Sequence, residues 1–182
     1  MSENNFQRLV DQHYAALYRF ALTLSKSEAD AADLTQQTFF LWASKGNQLR
    51  DRSKAKAWLF TTLYREFLRR RRREMRFPEI ELETVREEEM SIPPNVKAID
   101  CGTALDALRE VDEPFRAPLT LFYLEQFSYQ EIANLLEVPI GTVMSRLSRG
   151  KAMLRQRLVS KEQSLGNKIV RFGSNRKEES HG

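Results

Sequence analysis

The chain has 182 residues, 41% of them hydrophobic, with a formal net charge of +4, one cysteine and two histidines. That length suits two small packed domains, and the lone Cys101 excludes an intrachain disulfide and, with so few histidines, argues against a structural zinc site. No apolar run approaches the roughly 20 residues needed to span a bilayer and no leader-like segment precedes Phe6, so a cytoplasmic protein without membrane insertion is expected. Apolar positions recur at three and four throughout, and no alternating apolar run suggests a strand. The expected fold class is all-α: two small helical domains at 1–76 and 99–160, joined by an acidic flexible linker at 77–98. A polar tail at 161–182 is expected to be disordered.

From Phe6, the positions Leu9, Val10, His13, Tyr14, Leu17 and Ala21 mark an amphipathic helix to about Leu24, with His13 on its apolar stripe. A second helix opens at Ser27 with Asp30 three residues on, buries Leu34, Phe39, Leu41 and Trp42, and stops at Gly46. Its other side carries Asp30, Asp33, Gln36 and Gln37. A third helix follows Asp51-Arg52-Ser53. Its first half should be buried through Trp58, Leu59, Thr62, Leu63 and Phe67, and its second half is almost wholly arginine. Arg65, Arg69, Arg72 and Arg76 fall near one face, with Arg70, Arg71 and Arg73 around them and Phe60, Tyr64 and Phe67 beside them. Guanidinium groups next to exposed aromatics suit single-stranded DNA, where phosphates need cations and unpaired bases need flat surfaces.

After the acidic stretch, Ala104, Leu105, Leu108 and Val111 predict a helix. Another starts around Asp112 and Pro114, where Pro118 implies a later start or an irregular first turn. The stretch Ser128 to Leu154 then reads as a helix-turn-helix. Ser128 and Glu131 form a capping box, Val138-Pro139 writes the break, and the second helix begins near Ile140. Val143, Leu147 and Leu154 face inward on that helix, while Thr142, Ser145, Arg146 and Arg149 face outward. A face of hydroxyls and guanidiniums suits a DNA major groove.

VPIGTVMSRLSRGKAMLRQRL, preceded by LTLFYLEQFSYQEIANLLE, resembles region four of bacterial RNA polymerase sigma factors of the extracytoplasmic-function (ECF) type. The resemblance assigns reading of the minus-thirty-five promoter element to Ser145, Ser148 and Arg149 and phosphate contacts to Thr142 and Arg146, with Met144 standing where many members carry a basic residue. DAADLTQQTFFLWA resembles region two, whose helix binds the polymerase clamp. Asp30 and Asp33 carry over, with Gln36 and Gln37 beside them, but Ala32 and Gln37 stand where members usually have acids. Thr35 and Thr38 flank that gap as candidate phosphorylation sites, since a phosphate would restore negative charge. The AWLF start of the third helix matches the segment that opens the minus-ten element, which implies DNA contacts from Tyr64, Arg65, Arg69, Arg72 and Arg73. Arg65 and Arg69 replace the family's common Asn and Asp.

The resemblance implies a non-enzymatic promoter-specificity subunit with core RNA polymerase and promoter DNA as partners, controlled by an anti-sigma factor or a Ser/Thr kinase. No Gly-rich phosphate loop, metal spacing or paired nucleophile suggests a catalytic residue, metal or cofactor. Two alternatives stay open: a standalone helix-turn-helix regulator of duplex DNA, and a degenerate sigma-like adaptor.

Overall fold

The structure, a computed structural model, describes residues 3–76 and 102–174, so the linker expected at 77–98 lies outside it. The described residues are helical, with no strand among them: α1 (Glu3–Ser25), α2 (Glu28–Lys45), α3 (Ala55–Arg76), α4 (Gly102–Glu110), α5 (Glu113–Leu119), α6 (Tyr129–Leu136) and α7 (Ile140–Ser174).

The first unit is α1 to α3. Ser27 caps α2 by accepting the Asp30 amide at 3.3 Å, satisfying one of the donors that a helix start leaves free. At the other end the Gly46 N–H bonds to the Trp42 carbonyl, and a Cβ on Gly46 would lie 2.7 Å from two carbons of the Trp42 ring. Glycine is required there by close approach, since the residue's φ of −61° is available to any side chain. Asp51 accepts from the Ser53 amide at 3.0 Å and starts the short turn that leads into α3. Leu17, Phe20, Leu34, Trp42, Leu59, Phe60 and Leu63 are almost fully buried between these helices, each worth about 1.5–3 kcal/mol of apolar transfer for the smaller side chains.

The second unit is α4 to α7. α5 begins at Glu113 with Asp112 as its N-cap, near the expected start, and the irregularity follows Pro118 within two residues instead of delaying the start or disturbing the first turn. Residues Thr120–Leu124 widen into a π turn, with the Glu125 N–H reaching the Thr120 carbonyl at 3.2 Å. Pro118 offers no N–H to the carbonyl four residues back, so the helix is already weakened where the turn opens. Ser128 and Glu131 form both halves of the capping box of α6. That helix ends at Glu137, a non-glycine residue in the left-handed region at φ 55°. Pro139 then sits at the head of α7, its carbonyl accepting from Thr142 and Val143. Val143 and Leu147 are buried as expected, and Val138 packs against the same core. Gly150 lets α7 lie close on α5, because a Cβ there would meet Leu119 Cδ1 and Phe115 Cβ at 2.9 Å.

α7 runs on to Ser174, into the segment read from the sequence as a tail, and residues 175–182 of that segment lie outside the described residues. No proline follows Pro139 in the sequence, so nothing in the chain forces the helix to stop.

The two units share one packed core. α1 packs on α4 and α5, and α3 packs on α6. The Phe60 and Phe127 rings meet edge-on at 5.2 Å, and Lys56 lies 4.7 Å from the Phe127 ring centre while donating to the Glu125 carbonyl at 2.6 Å. Buried Arg116 donates to the Thr23 and Leu24 carbonyls at the end of α1, two acceptors that a helix terminus leaves without partners.

Candidate nucleic-acid interface

The capping box and the left-handed turn at Glu137 set the angle at which α7 leaves the helix-turn-helix, and its inward stripe fixes its rotation. The outward side then follows. Ser145, Ser148 and Arg149 are exposed together, and the Ser145 hydroxyl donates to the Thr142 carbonyl at 3.0 Å. Met144 stands 53% exposed on the same side, an apolar contact suited to a thymine methyl. Thr142 and Arg146 are half-buried. Arg146 lies toward α3, close enough for its charge to oppose the rise that burial causes in the Tyr64 phenol pKa. The face drawn from sequence is therefore split: Ser145, Ser148 and Arg149 look outward, and Arg146 borders the first unit.

Two further cations extend the outward side. Lys151 and Arg155 border a shallow groove of about 550 Å³ with Ser148, Ala152, Gln156 and Val159. Lys151 lies three residues from Ser148 and Arg155 four from Lys151, a helical spacing that was the available signal.

On α3 the arginines form a basic surface, and Phe60 departs from the sequence expectation. Phe60 is fully buried and Phe67 is 7% exposed. Tyr64 is half-buried, between Phe20 and Phe67. Phe67 is buried as its spacing with Leu59 and Leu63 predicted, and Phe60 is lost to any stacking surface because α1 and the second unit cover that side of α3. What remains is cationic. Arg69, Arg72, Arg73 and Arg76 are exposed around a groove of about 540 Å³, which matches a phosphate backbone. Arg65, Arg69 and Arg72 also border a groove of about 480 Å³ shared with Leu135, Leu136 and Glu137 of α6. Arg65 itself is held by Glu137 at 2.6 Å.

On α2, Asp33, Gln36 and Gln37 are exposed and Asp30 is half-buried. Arg70 of α3 bridges the two acids, at 3.1 Å from Asp30 and 3.8 Å from Asp33. Phe40 stands 65% exposed, one turn on from Gln36 and Gln37. Sequence reading omitted it as a contact residue, although the Phe39-Phe40 pair leaves room for only one ring in the core. Thr35 and Thr38, the candidate phosphorylation sites, lie on the inner side of α2. Both are 0% exposed, and their hydroxyls donate to the Ala31 and Leu34 carbonyls at 2.7 Å.

Among the described residues, no group of His, Cys, Asp and Glu side chains is arranged to hold a metal ion. No helix among them is long and apolar enough to cross a membrane.

Two family models match the chain: Sigma-70 region 2 over residues 9–77 and Sigma-70, region 4 over residues 102–154. The chain is 34% identical over 151 residues to the ECF RNA polymerase sigma factor SigL of Mycobacterium tuberculosis, covering 81% of this chain and 85% of that protein. The chain belongs to the ECF sigma factors of bacterial RNA polymerase. SigE of Mycolicibacterium smegmatis, also an ECF sigma factor, is 35% identical over 168 residues, which are 85% of this chain but span 62% of that protein's length. Among solved structures, the sigma factor RpoE of Bartonella quintana, in complex with the anti-sigma factor NepR, superposes with a TM-score of 0.65 at 30% identity, covering 85% of this chain and 96% of that one. CnrH, solved with the cytosolic domain of CnrY, shares the fold at 22% identity and a TM-score of 0.59, covering 87% of this chain and 90% of that one. As a sigma factor, the chain carries both the region-two and the region-four helices in the shared core described above.

Proposed function

We propose that this sigma factor recruits core RNA polymerase to promoters in the cytoplasm, acting by binding and without catalysis. The observation that carries this is the exposed side of α7, where Ser145, Ser148 and Arg149 stand together at the head of a capped helix-turn-helix. That is the placement by which a recognition helix presents side chains to base edges. Residues 99–160 form the unit that reads the upstream promoter element, and Thr142 and Arg146 hold its phosphates. Residues 1–76 form the unit that docks on polymerase and handles the melted downstream element, with Arg69, Arg72 and Arg73 on phosphates and Arg65 and Tyr64 at the border with α6. Asp30, Asp33, Gln36 and Gln37 line the docking face on α2. Residues 77–98 link the two units.

The solved relatives were captured with an anti-sigma factor or with a cytosolic protein domain, which supports regulation of this chain by a protein of the first kind. The test is run-off transcription with core polymerase and a library of upstream elements. Arg149→Ala should lose discrimination at one position. A transcript pattern independent of this residue, or no transcript with any promoter, would overturn the proposal.

A further inference from the structure

The end of α1 and the facing sides of α2, α3 and α5 border a cavity of about 280 Å³. Charged side chains make up most of its lining. Lys26, Arg70, Arg71 and Arg116 supply four cations, against the carboxylates of Asp30, Glu74 and Glu113. No lining residue comes from α7, so the cavity is separate from the base-reading side of that helix.

Arg116 is the member whose needs are least met. It is 7% exposed, and the bonds that its Nη1 donates, at 3.0 Å and 3.3 Å, go to the neutral carbonyls of Thr23 and Leu24. Its Nε is buried and has no hydrogen-bond partner among the described residues. A buried charge with donors left over costs free energy that a bound counter-charge recovers. Arg71 adds to that demand. Burial lowers the Arg116 pKa below its ordinary value, the Arg71 charge lowers it further, and Asp112 opposes both. Two guanidiniums that line one cavity thus repel each other.

Arg71 pairs with Glu113, and Arg70 reaches Asp30 and Asp33. A guanidinium carries five N–H donors in a fixed fork, so each of these arginines keeps donors beyond its present partners. The group that offers several acceptor oxygens and more than one negative charge to such forks is a phosphate, which arginine binds bidentately. Size narrows the choice, because the cavity is below the roughly 300–1,000 Å³ of pockets that enclose drug-sized molecules.

We propose that this cavity binds a small phosphate ligand between Arg71 of α3 and Arg116 of α5, with Arg70 and Lys26 completing the positive lining. The ligand is inorganic phosphate, diphosphate or the phosphate end of a small phosphomonoester.

The test is calorimetric titration of the full-length chain, at constant ionic strength in chloride, with inorganic phosphate, diphosphate and adenosine monophosphate in turn. The three separate a free anion from the phosphate end of a larger molecule. At least one should bind saturably, one per chain, and raise the thermal midpoint as its concentration rises. Arg71→Gln should weaken that binding by about tenfold or more, the loss expected for a hydrogen bond to a charged group. Arg116→Lys keeps the charge but lacks the Nε donor and should weaken it as well, with circular dichroism to show that the helices survive. Arg76→Gln removes a charge from the exposed end of α3, outside the cavity, and should bind the anion like wild type.

Absence of saturable binding at millimolar concentrations of all three would overturn the proposal. So would equal losses in Arg71→Gln and Arg76→Gln, which would reduce the binding to general attraction by an arginine-rich helix. Should Arg116→Lys fail to fold, Arg71→Gln decides alone, and unchanged affinity in that variant removes the site.

Discussion

Arg65 grips Glu137 with two donors, Nε at 2.9 Å and Nη2 at 2.6 Å, both on one carboxylate oxygen. This pair joins α3 to the left-handed residue that ends α6, yet the two side chains are 64% and 62% exposed. In water such pairs contribute about 0–1 kcal/mol, because solvent screens them and two long side chains lose freedom. Glu137→Gln should therefore shift the midpoint of urea unfolding only slightly, and less in 0.5 M salt than in dilute buffer. A loss of several kcal/mol would mean that the pair carries the docking of the units, in place of the Phe60–Phe127 packing between them.

Glu125 behaves in the opposite way. Burial raises its carboxyl pKa above the ordinary 4.5, outweighing the Arg19 and Lys56 cations that pull it down. The folded protein thus holds this proton to higher pH than the unfolded chain does. Stability from this residue is complete below pH 4.5 and is lost as pH rises through the folded value. Glu125→Gln, which cannot ionise, should match or exceed wild-type stability at pH 7 and lose that advantage near pH 4. Urea unfolding across this range decides it; a variant weakest at neutral pH would show that the ion pair outweighs its desolvation.

His13 has the reverse sign. It is 9% exposed on the buried side of α1, and burial followed by the Lys56 charge lowers its pKa below the ordinary 6.5. The unfolded chain therefore takes up this proton first, and stability falls as pH drops through about 6.5. His13→Phe should flatten the thermal-midpoint profile between pH 7.5 and 5.5. An identical slope in the variant would assign that dependence to other groups.

Gly46→Ala should destabilise the first unit by about 1–3 kcal/mol, although alanine is the better helix former, because a 2.7 Å approach to the Trp42 ring forces a packed core to shift. Thermal unfolding and the near-ultraviolet signal of Trp42 check this. An unchanged midpoint would mean that the ring moves aside freely.

Arg149→Ala should weaken binding to a cognate upstream duplex by about 1–3 kcal/mol and relax preference at one base pair, as expected when a bidentate base contact is lost. Arg146→Ala should weaken cognate and scrambled duplexes alike. Titrations against both duplexes separate the two roles, and equal losses for Arg149→Ala on both would remove it from base reading.

Local chemistry carried much of this fold in the sequence. The caps at Ser27 and Ser128, the break at Pro139 and the stripe of Val143 and Leu147 each depend on residues within a few positions of one another, so spacing reveals them. Phe60 was misread because α3 is covered from two sides, by α1 and by the unit bearing Phe127, and one helix's periodicity does not report a contact 67 residues away in sequence. The burial of Thr35 and Thr38 gave no signal, because a helix lets a hydroxyl satisfy itself on the carbonyl four residues back and then pass for an apolar group. Buried Arg116 gave no signal either, since its acceptors are the end carbonyls of a helix more than 90 residues earlier.

The length of α7 has a mechanical consequence. Its 35 residues form one rod of about 50 Å, seated on α5 where Gly150 admits Leu119 and Phe115. With Gly150 as fulcrum the arms are unequal: Ser145 lies about 8 Å to one side and Ser174 about 36 Å to the other. A tilt of about 10° would carry the far end through roughly 6 Å while shifting Ser145 by little more than about 1 Å. The distal arm is a lever with nearly fivefold leverage, so a small re-aiming of Ser145 is amplified at Ser174.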